Sequence, residues 1–579
     1  MIRRRSAVAV AAAAAASLVL AACGGGSSGG GSSSTELKQN AGLNALVNPS
    51  DAKGGTMRIA QSGDWDSLDP GNMYYAFAWN FARLYTRSLT TFSPEPGPPK
   101  VVPDLAESLG KSSDDGKTWT YTLRQGVKFE DGTPVTSKDV KYGVERSMDK
   151  TTFPNGPTYF NDWLALGSYK NAYDSKGKTD PAIETPDDRT IIFHLKKAYT
   201  GFDFFGTIPA TAPVPADKDT GSKYQEHVVS SGPYMFKTYS AGKGFTLVRN
   251  PNWDQATDPI RKALPDGYDV SVNVNADDVD NRLLAGDLDM DVAGAGVQPA
   301  AQAKILANKD LTANTDIIPE TRLNYLTLHD TVKPFDNINC RKAIEYGVSR
   351  QSYYRAYGGK TGGEIATNIT PPNIAGAKSF DLYPRANNGA DVAKAKEALA
   401  ACGQPNGFST TMAYRGERPK EKAVAQAVQQ DLAAIGVKVT LKTYPAADYF
   451  ALYAGNNAFV KNNKIGLNTM AWGADWPDGF GFLSQIVDPR VIRPAGNTNL
   501  GVTDPAVATA IDKALTAPDL AAQQAAWVEV DRKTMEGAYI VPGSWGSALY
   551  YRPTNVTNVF GPGGYGMYDY LNMGLKSAS

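Results

Sequence analysis

The stretch DGKTWTYTLRQGVKFEDGTPVTSKDV, residues 115–140, encodes a strand, a turn and a helix start in direct succession. Trp119, Tyr121 and Leu123 alternate with Thr118, Thr120 and Thr122, the period of two that belongs to a strand with one buried face. Asp131-Gly132 marks a turn, because glycine reaches backbone conformations closed to other residues. Thr136-Ser137-Lys138-Asp139 has capping-box spacing, and Val140, Val144 and Met148 recur at i, i+4 and i+8, so a helix starts near Ser137.

Upstream, Gly54-Gly55 precede the alternating strand Thr56–Ala60, where the fold begins. Downstream, Ile191, Phe193 and Leu195 alternate, and Phe245, Leu247 and Arg249 do so up to the break at Asn250-Pro251. The first half is therefore strand-rich. From residue 335 the pattern becomes helix alternating with strand. Val424, Val428, Leu432 and Ile435 form a helical stripe, Gly436 takes the place of a C-cap glycine, and Val437, Val439 and Leu441 alternate with Lys438, Thr440 and Lys442. A second helix, Asp391 to Ala401, is capped by Asp391 and closed by Gly403, with Cys402 at its end. Strand-helix-strand units of this kind make an α/β fold. No internal repeat supports a solenoid or propeller.

At 579 residues the chain should hold more than one folding unit. Lysine plus arginine total 59 and aspartate plus glutamate total 59, so no global positive field favours a nucleic-acid partner. Three histidines (His194, His227, His329) and three cysteines (Cys23, Cys340, Cys402) are too few for a structural zinc module, and no metal or other cofactor is expected. P-loop, dinucleotide and EF-hand patterns are absent. The closest approach to a nucleophile elbow, Gly543-Ser544-Trp545-Gly546-Ser547, lacks the G-x-S-x-G spacing. His194 lies on the strand face opposite Ile191 and Phe193, a structural position. These features argue against an enzyme.

The N-terminus carries Arg3-Arg4-Arg5 and an apolar run from Ala7 to Leu20, shorter than the ~20 residues a bilayer span needs. It ends in Leu20-Ala21-Ala22-Cys23, which resembles the bacterial lipobox. Residues 1–22 are expected to be a lipoprotein signal peptide and Cys23 a lipidated first residue; an ordinary signal peptide cut near Ala22 is the alternative. Gly24 to Ser34 reads GGGSSGGGSSS, a composition that cannot bury a core, so 23–53 is expected to be a tether. The folded part would then be extracytoplasmic, anchored by lipid to the outer face of the cell membrane. That compartment allows Cys340 and Cys402 to form a disulfide; two buried thiols are the other reading.

A cluster of aromatic rings surrounds an acid at Trp472-Gly473-Ala474-Asp475-Trp476-Pro477-Asp478-Gly479-Phe480-Gly481-Phe482, which glycine and proline punctuate as a loop. A carboxylate between indole rings suits a cationic amine, with cation–π attraction of about 0.5–2 kcal/mol. Alternatively, Trp472 and Trp476 are core and Asp475 a turn residue.

The run from Asp115 to Val140, preceded by Leu105-Ala106-Glu107-Ser108, is followed in order by four further segments. These are Ser231-Gly232-Pro233-Tyr234, Asn250-Pro251-Asn252-Trp253, Arg341-Lys342-Ala343-Ile344 with Arg350, and Ala474-Asp475-Trp476-Pro477-Asp478. Together they resemble the extracytoplasmic solute-binding proteins of ATP-driven importers, in the family that includes the dipeptide-, oligopeptide- and nickel-binding proteins, over about 54 to 575. The resemblance implies a two-lobed periplasmic-binding-protein-like clamp with a two-strand hinge and an extra strand-rich subdomain in the first lobe. Carried over, the first lobe is 54–320 plus 541–579, its insert about 88–230, and the second lobe 321–540.

By the same resemblance the protein is a monomeric ABC-importer subunit that hands a short peptide to its permease and ATPase complex. Asp475 stands where peptide-binding members hold the ligand ammonium, with Trp472 and Trp476 lining it. Oligopeptide-type members carry an arginine for the ligand carboxylate six residues earlier, but Thr469 stands there. Dipeptide-type members take it from a loop before a helix and strand, which makes Arg415 and Arg418 the candidates. A sugar-binding member, and a surface sensor or receptor not coupled to import, are the alternatives. Nickel capture would call for histidines near the pocket.

Overall fold

The computed structural model describes residues 38–576, apart from 176, 177, 179, 417, 446 and 447. The expected signal peptide, Cys23 and the glycine-serine run lie outside the described residues. Among those described, no helix is long and apolar enough to cross a membrane.

A five-stranded sheet runs in the order Met290–Asp291, Thr56–Ala60, Gly267–Ser271, Gly244–Arg249 and Tyr234–Ser240. Thr56–Ala60 is parallel to both its neighbours, and Met57 and Ile59 point into the core. A separate antiparallel sheet of four strands contains Thr118–Thr122 and Thr190–His194, with Trp119 opposite Phe193 and Tyr121 opposite Ile191. The alternation read from the sequence is this shared buried face. Helix Ser137–Ser147 follows with its Thr136/Asp139 capping box formed.

The second large sheet has six strands, in the order Gly363–Ile365, Ile540–Tyr551, Thr315–Leu328, Ile465–Gly473, Ser409–Arg415 and Lys438–Tyr444. Helix Pro419–Ala433 connects the parallel pair Ser409–Arg415 and Lys438–Tyr444, burying Val424, Val428 and Leu432. Gly436 follows at φ 86°, the left-handed turn that ends the helix. Helices Ile338–Gly347 and Val392–Ala401 join the same core, and a disulfide links Cys340 to Cys402.

Thr315–Leu328 and Ile540–Tyr551 are the longest antiparallel pair, and their register slips between Pro319 and Leu323. Beyond the slip, Leu326, Leu328 and Val541 belong to the core of the six-stranded sheet. At the other end Tyr551 packs on Ala60, Val279, Leu283 and Leu288 beside the five-stranded sheet. The segment entering the fold also joins here. The Asn40 amide donates to the Thr315 carbonyl at 2.8 Å, the Gly42 amide to Asp316 Oδ1 at 2.9 Å, and Val47 bridges to Val559.

The cysteines are separated by 62 residues, so the disulfide removes a large loop from the unfolded ensemble. A Cys340→Ala/Cys402→Ala double variant is expected to lose about 2–4 kcal/mol in guanidinium unfolding under non-reducing conditions. An unchanged unfolding midpoint would show that packing of the two helices alone carries the stability.

Candidate functional site

Asp475 follows immediately after strand Ile465–Gly473, and two backbone bonds fix its place. The Ala474 amide donates to the Thr321 carbonyl at 2.8 Å, and the Asp475 amide to the Gly481 carbonyl at 3.0 Å. Tyr74 donates its hydroxyl to Asp475 Oδ2 at 3.0 Å, and the buried Tyr159 hydroxyl donates to the same oxygen. Tyr74 precedes helix Ala76–Ala82 and Tyr159 opens helix Tyr159–Trp163, both far from the six-stranded sheet in sequence. The carboxylate thus meets hydroxyls carried by a different part of the fold. Lost hydration pushes the half-buried Asp475 carboxyl up to about 7, with the two hydroxyl bonds opposing that rise.

Trp476 lies under this arrangement rather than facing open space. It is fully buried, stacked on Phe204 at 5.9 Å between ring centroids and 4.8 Å from Tyr159, with Phe205 and Phe480 also against it. The Trp476 ring therefore supports the tyrosine that reaches Asp475. Trp472 is half-buried, and its indole N–H donates to the Phe482 carbonyl at 2.9 Å.

The segment from Trp472 to Phe482 is less of a loop than its glycines and proline suggest. The strand runs through Gly473, Asp478 caps helix Gly479–Val487 by accepting from the Gly481 amide at 2.7 Å, and only Ala474–Asp478 connect them. The glycines serve close packing. A Cβ on Gly479 would lie 2.2 Å from the Trp527 ring, and one on Gly481 would lie 2.5 Å from the Trp476 carbonyl.

Arg415, at the end of strand Ser409–Arg415, is buried and engaged. Its Nε donates to Glu421 Oε1 at 2.9 Å, its backbone amide donates to Oε2 at 3.2 Å, and Thr469 Oγ1 donates to that same oxygen at 3.0 Å. The Arg415 charge is thus met by Glu421, which sits in the first turn of the following helix. Arg418 is more open: its guanidinium is 3.7 Å from Glu421 and its side chain is 48% exposed. The structure therefore separates the two arginines that the sequence offered together. Tyr74, Tyr159 and Glu421 were not singled out in the sequence; of these, only Glu421 lies within a turn or two of a residue that was.

The three histidines sit elsewhere. His194 contacts Thr118 and Glu184, His227 contacts Glu130, and His329 is buried against Asn468 with its ring pushed down to about 3 by burial. Among the described residues no group of three or more His, Cys, Asp or Glu is placed to hold a metal ion.

The model of Bacterial extracellular solute-binding proteins, family 5 Middle, matches residues 100–492. The glutathione-binding protein GsiB of Shigella dysenteriae is 28% identical over 514 residues, covering 84% of this chain and 92% of its own length. A solved structure of clavulanic acid biosynthesis oligopeptide binding protein 2 superposes with TM-score 0.90 at 38% identity, covering 94% of this chain and 99% of that one. The murein tripeptide binding protein MppA of Escherichia coli shares the fold, with TM-score 0.71 at 20% identity over 91% of this chain and 99% of its own. These relatives are solute-binding proteins, and the two large sheets with the smaller antiparallel one reproduce their two-lobed α/β architecture. The chain belongs to the bacterial extracellular solute-binding proteins of family 5.

Proposed function

We propose that this protein captures short peptides between two lobes and delivers them to the permease of an ABC importer, anchored to the outer face of the membrane through Cys23. The observation that carries the peptide reading is Asp475: a half-buried carboxylate whose partners are two tyrosine hydroxyls rather than a cation. A carboxylate kept from water gains most from a partner that brings a full positive charge, and a peptide's ammonium brings one with three donors. The glutathione-binding and oligopeptide-binding relatives favour the same ligand class.

The lobes of this reading are 54–320 plus 541–579, with the insert at about 88–230, and 321–540. Both junctions fall on the paired strands Thr315–Leu328 and Ile540–Tyr551, and the first lies at the register slip between Pro319 and Leu323. A slip in an otherwise continuous ladder is a natural place for a bend. Closing there brings Asp475 to Tyr74 and Tyr159, and the loaded closed form is the one a permease would select.

The test is a thermal-shift screen of di- to hexapeptides, sugars and nickel, with mass spectrometry of whatever the purified protein releases. A ligand at a hundred times its Kd adds about 2.7 kcal/mol of stability, so peptides are expected to raise the midpoint clearly. A shift with sugars or nickel and none with peptides would overturn the peptide reading.

A further inference from the structure

The insert is held on two sides, and the two sides are built differently. Toward the first lobe it is held by charge. Arg146, in helix Ser137–Ser147, donates from Nη1 to Asp69 Oδ1 at 2.7 Å and from Nη2 to Asp69 Oδ2 at 2.9 Å, and both side chains are buried. The same guanidinium meets Asp219 at 2.9 Å and lies over the rings of Phe153 and Tyr224, at 4.3 and 4.9 Å from their centroids. Backbones also approach closely here: a Cβ on Gly156 would lie 2.5 Å from the Gly71 carbonyl oxygen. Breaking a buried bidentate pair leaves a charge with neither partner nor water, so this side stays together when the molecule opens.

Toward the second lobe it is held by rings. Trp163 and Tyr199 of the insert lie 5.3 and 4.9 Å from Phe480 between centroids, and Phe204 and Phe205 lie 5.9 and 5.5 Å from Trp476. Beyond the Tyr159–Asp475 bond, the polar links are sparse. Arg493 donates to Thr158 Oγ1 at 3.1 Å and lies 3.5 Å from Asp162, with both charged side chains nearly half-exposed, and Gln523 Nε2 donates to Thr200 Oγ1 at 3.2 Å. Inside this wall of rings two polar atoms are left over. The Tyr199 hydroxyl and the Trp476 indole N–H lie near each other, yet among the described residues neither has a partner in hydrogen-bonding geometry. Both side chains are at most 1% exposed. A buried polar group without a partner has lost its water uncompensated, and it regains that water when the wall parts. Apolar burial thus favours the joined wall while these two groups favour the parted one, which keeps the balance within a ligand's reach.

We propose that the insert is a strap: it stays with the first lobe, its aromatic face grips Trp476 and Phe480 of the second lobe on closing, and the leftover polar groups of Tyr199 and Trp476 set how readily that grip releases. This rests on the two-lobe reading above and is independent of the ligand's chemistry.

The test is hydroxyl-radical footprinting of the full-length protein without added ligand, read ring by ring by mass spectrometry. Tyr199→Phe removes one leftover group and keeps the ring, so oxidation of Trp163, Trp476 and Phe480 is expected to fall together, by about five-fold. Phe204→Ala takes a half-buried ring out of the grip, and oxidation at the same three residues should rise by about five-fold. Phe153 and Tyr224 report on the insert's other side and should not change in either variant. A cooperative melt checks that each variant folds. Oxidation unchanged in Tyr199→Phe would overturn the strap. So would a rise confined to Trp476 in Phe204→Ala, because Phe204 stacks directly on that ring and its loss uncovers it locally. A rise at Phe153 and Tyr224 would put the parting on the first-lobe side of the insert, overturning the strap and leaving the two lobes in place. All five rings unaltered in both variants would remove the two-lobe reading as well.

Discussion

Asp475→Ala is expected to weaken peptide binding by two orders of magnitude or more in calorimetry, while the protein still melts cooperatively. Removing one partner of a desolvated charge pair costs about 2–5 kcal/mol, much of it from leaving the other charge unpaired. Here the abandoned group would be the ligand ammonium, facing the hydroxyls of Tyr74 and Tyr159. The pH dependence gives a second readout. Burial raises this carboxyl from 3.8 to about 7, so the native protein binds its proton more tightly than the unfolded chain does. Its ionisation therefore opposes folding: the stability linked to this proton is present below the ordinary value and lost as pH rises through about 7. For an ammonium ligand the sign reverses, because the ionised form is the one that binds. Affinity should climb from pH 5 toward 7 and then level off, with proton release on binding near neutrality. Asp475→Asn should flatten that profile; a slope unchanged in this variant would assign the titration to another group.

The largest effect on stability is expected at Asp104. Its carboxylate receives Arg87 at 3.0 Å and Arg261 at 2.6 Å, and Asp258 completes the cluster at 3.1 Å from Arg261. All four side chains are at most 1% exposed. Burying two guanidinium groups is tolerable only while both carboxylates are present, since breaking such a network leaves a charge without water or partner. Asp104→Ala should cost about 3–5 kcal/mol in urea unfolding, several times what an exposed ion pair such as Lys138–Asp188 would cost. A loss below about 1 kcal/mol would mean that water or Asp258 alone satisfies both arginines.

Much of the architecture was legible in local pattern. Trp119 and Tyr121 announced their strand because one face is buried against Ile191 and Phe193, and the αβ unit around Gly436 showed both its periods and its cap. The site was legible in one half only. Asp475 stands out as an acid among aromatic residues, but its partners Tyr74 and Tyr159 are 401 and 316 residues away in sequence, and no local spacing encodes such contacts. The glycines at 479 and 481 were misread because turn chemistry and close packing both select for a missing Cβ, and only the position of the Trp527 and Trp476 rings tells them apart. Arg415 is the opposite case. Glu421 lies just six residues on, one strand end and one helical turn away, close enough that its ion pair with Arg415 had a local signal.

The anchoring of Asn40 and Gly42 on Thr315 and Asp316 has a mechanical consequence. Tension applied to the chain ahead of Lys38 enters the molecule at Thr315 and Asp316, on the first-lobe side of the strand on which we place the hinge and a few residues from its register slip. A load that close to a pivot exerts little torque about it. Opening and closing would therefore be largely insensitive to how hard the leading segment is pulled, and the second lobe would stay free to swing whatever holds the other end.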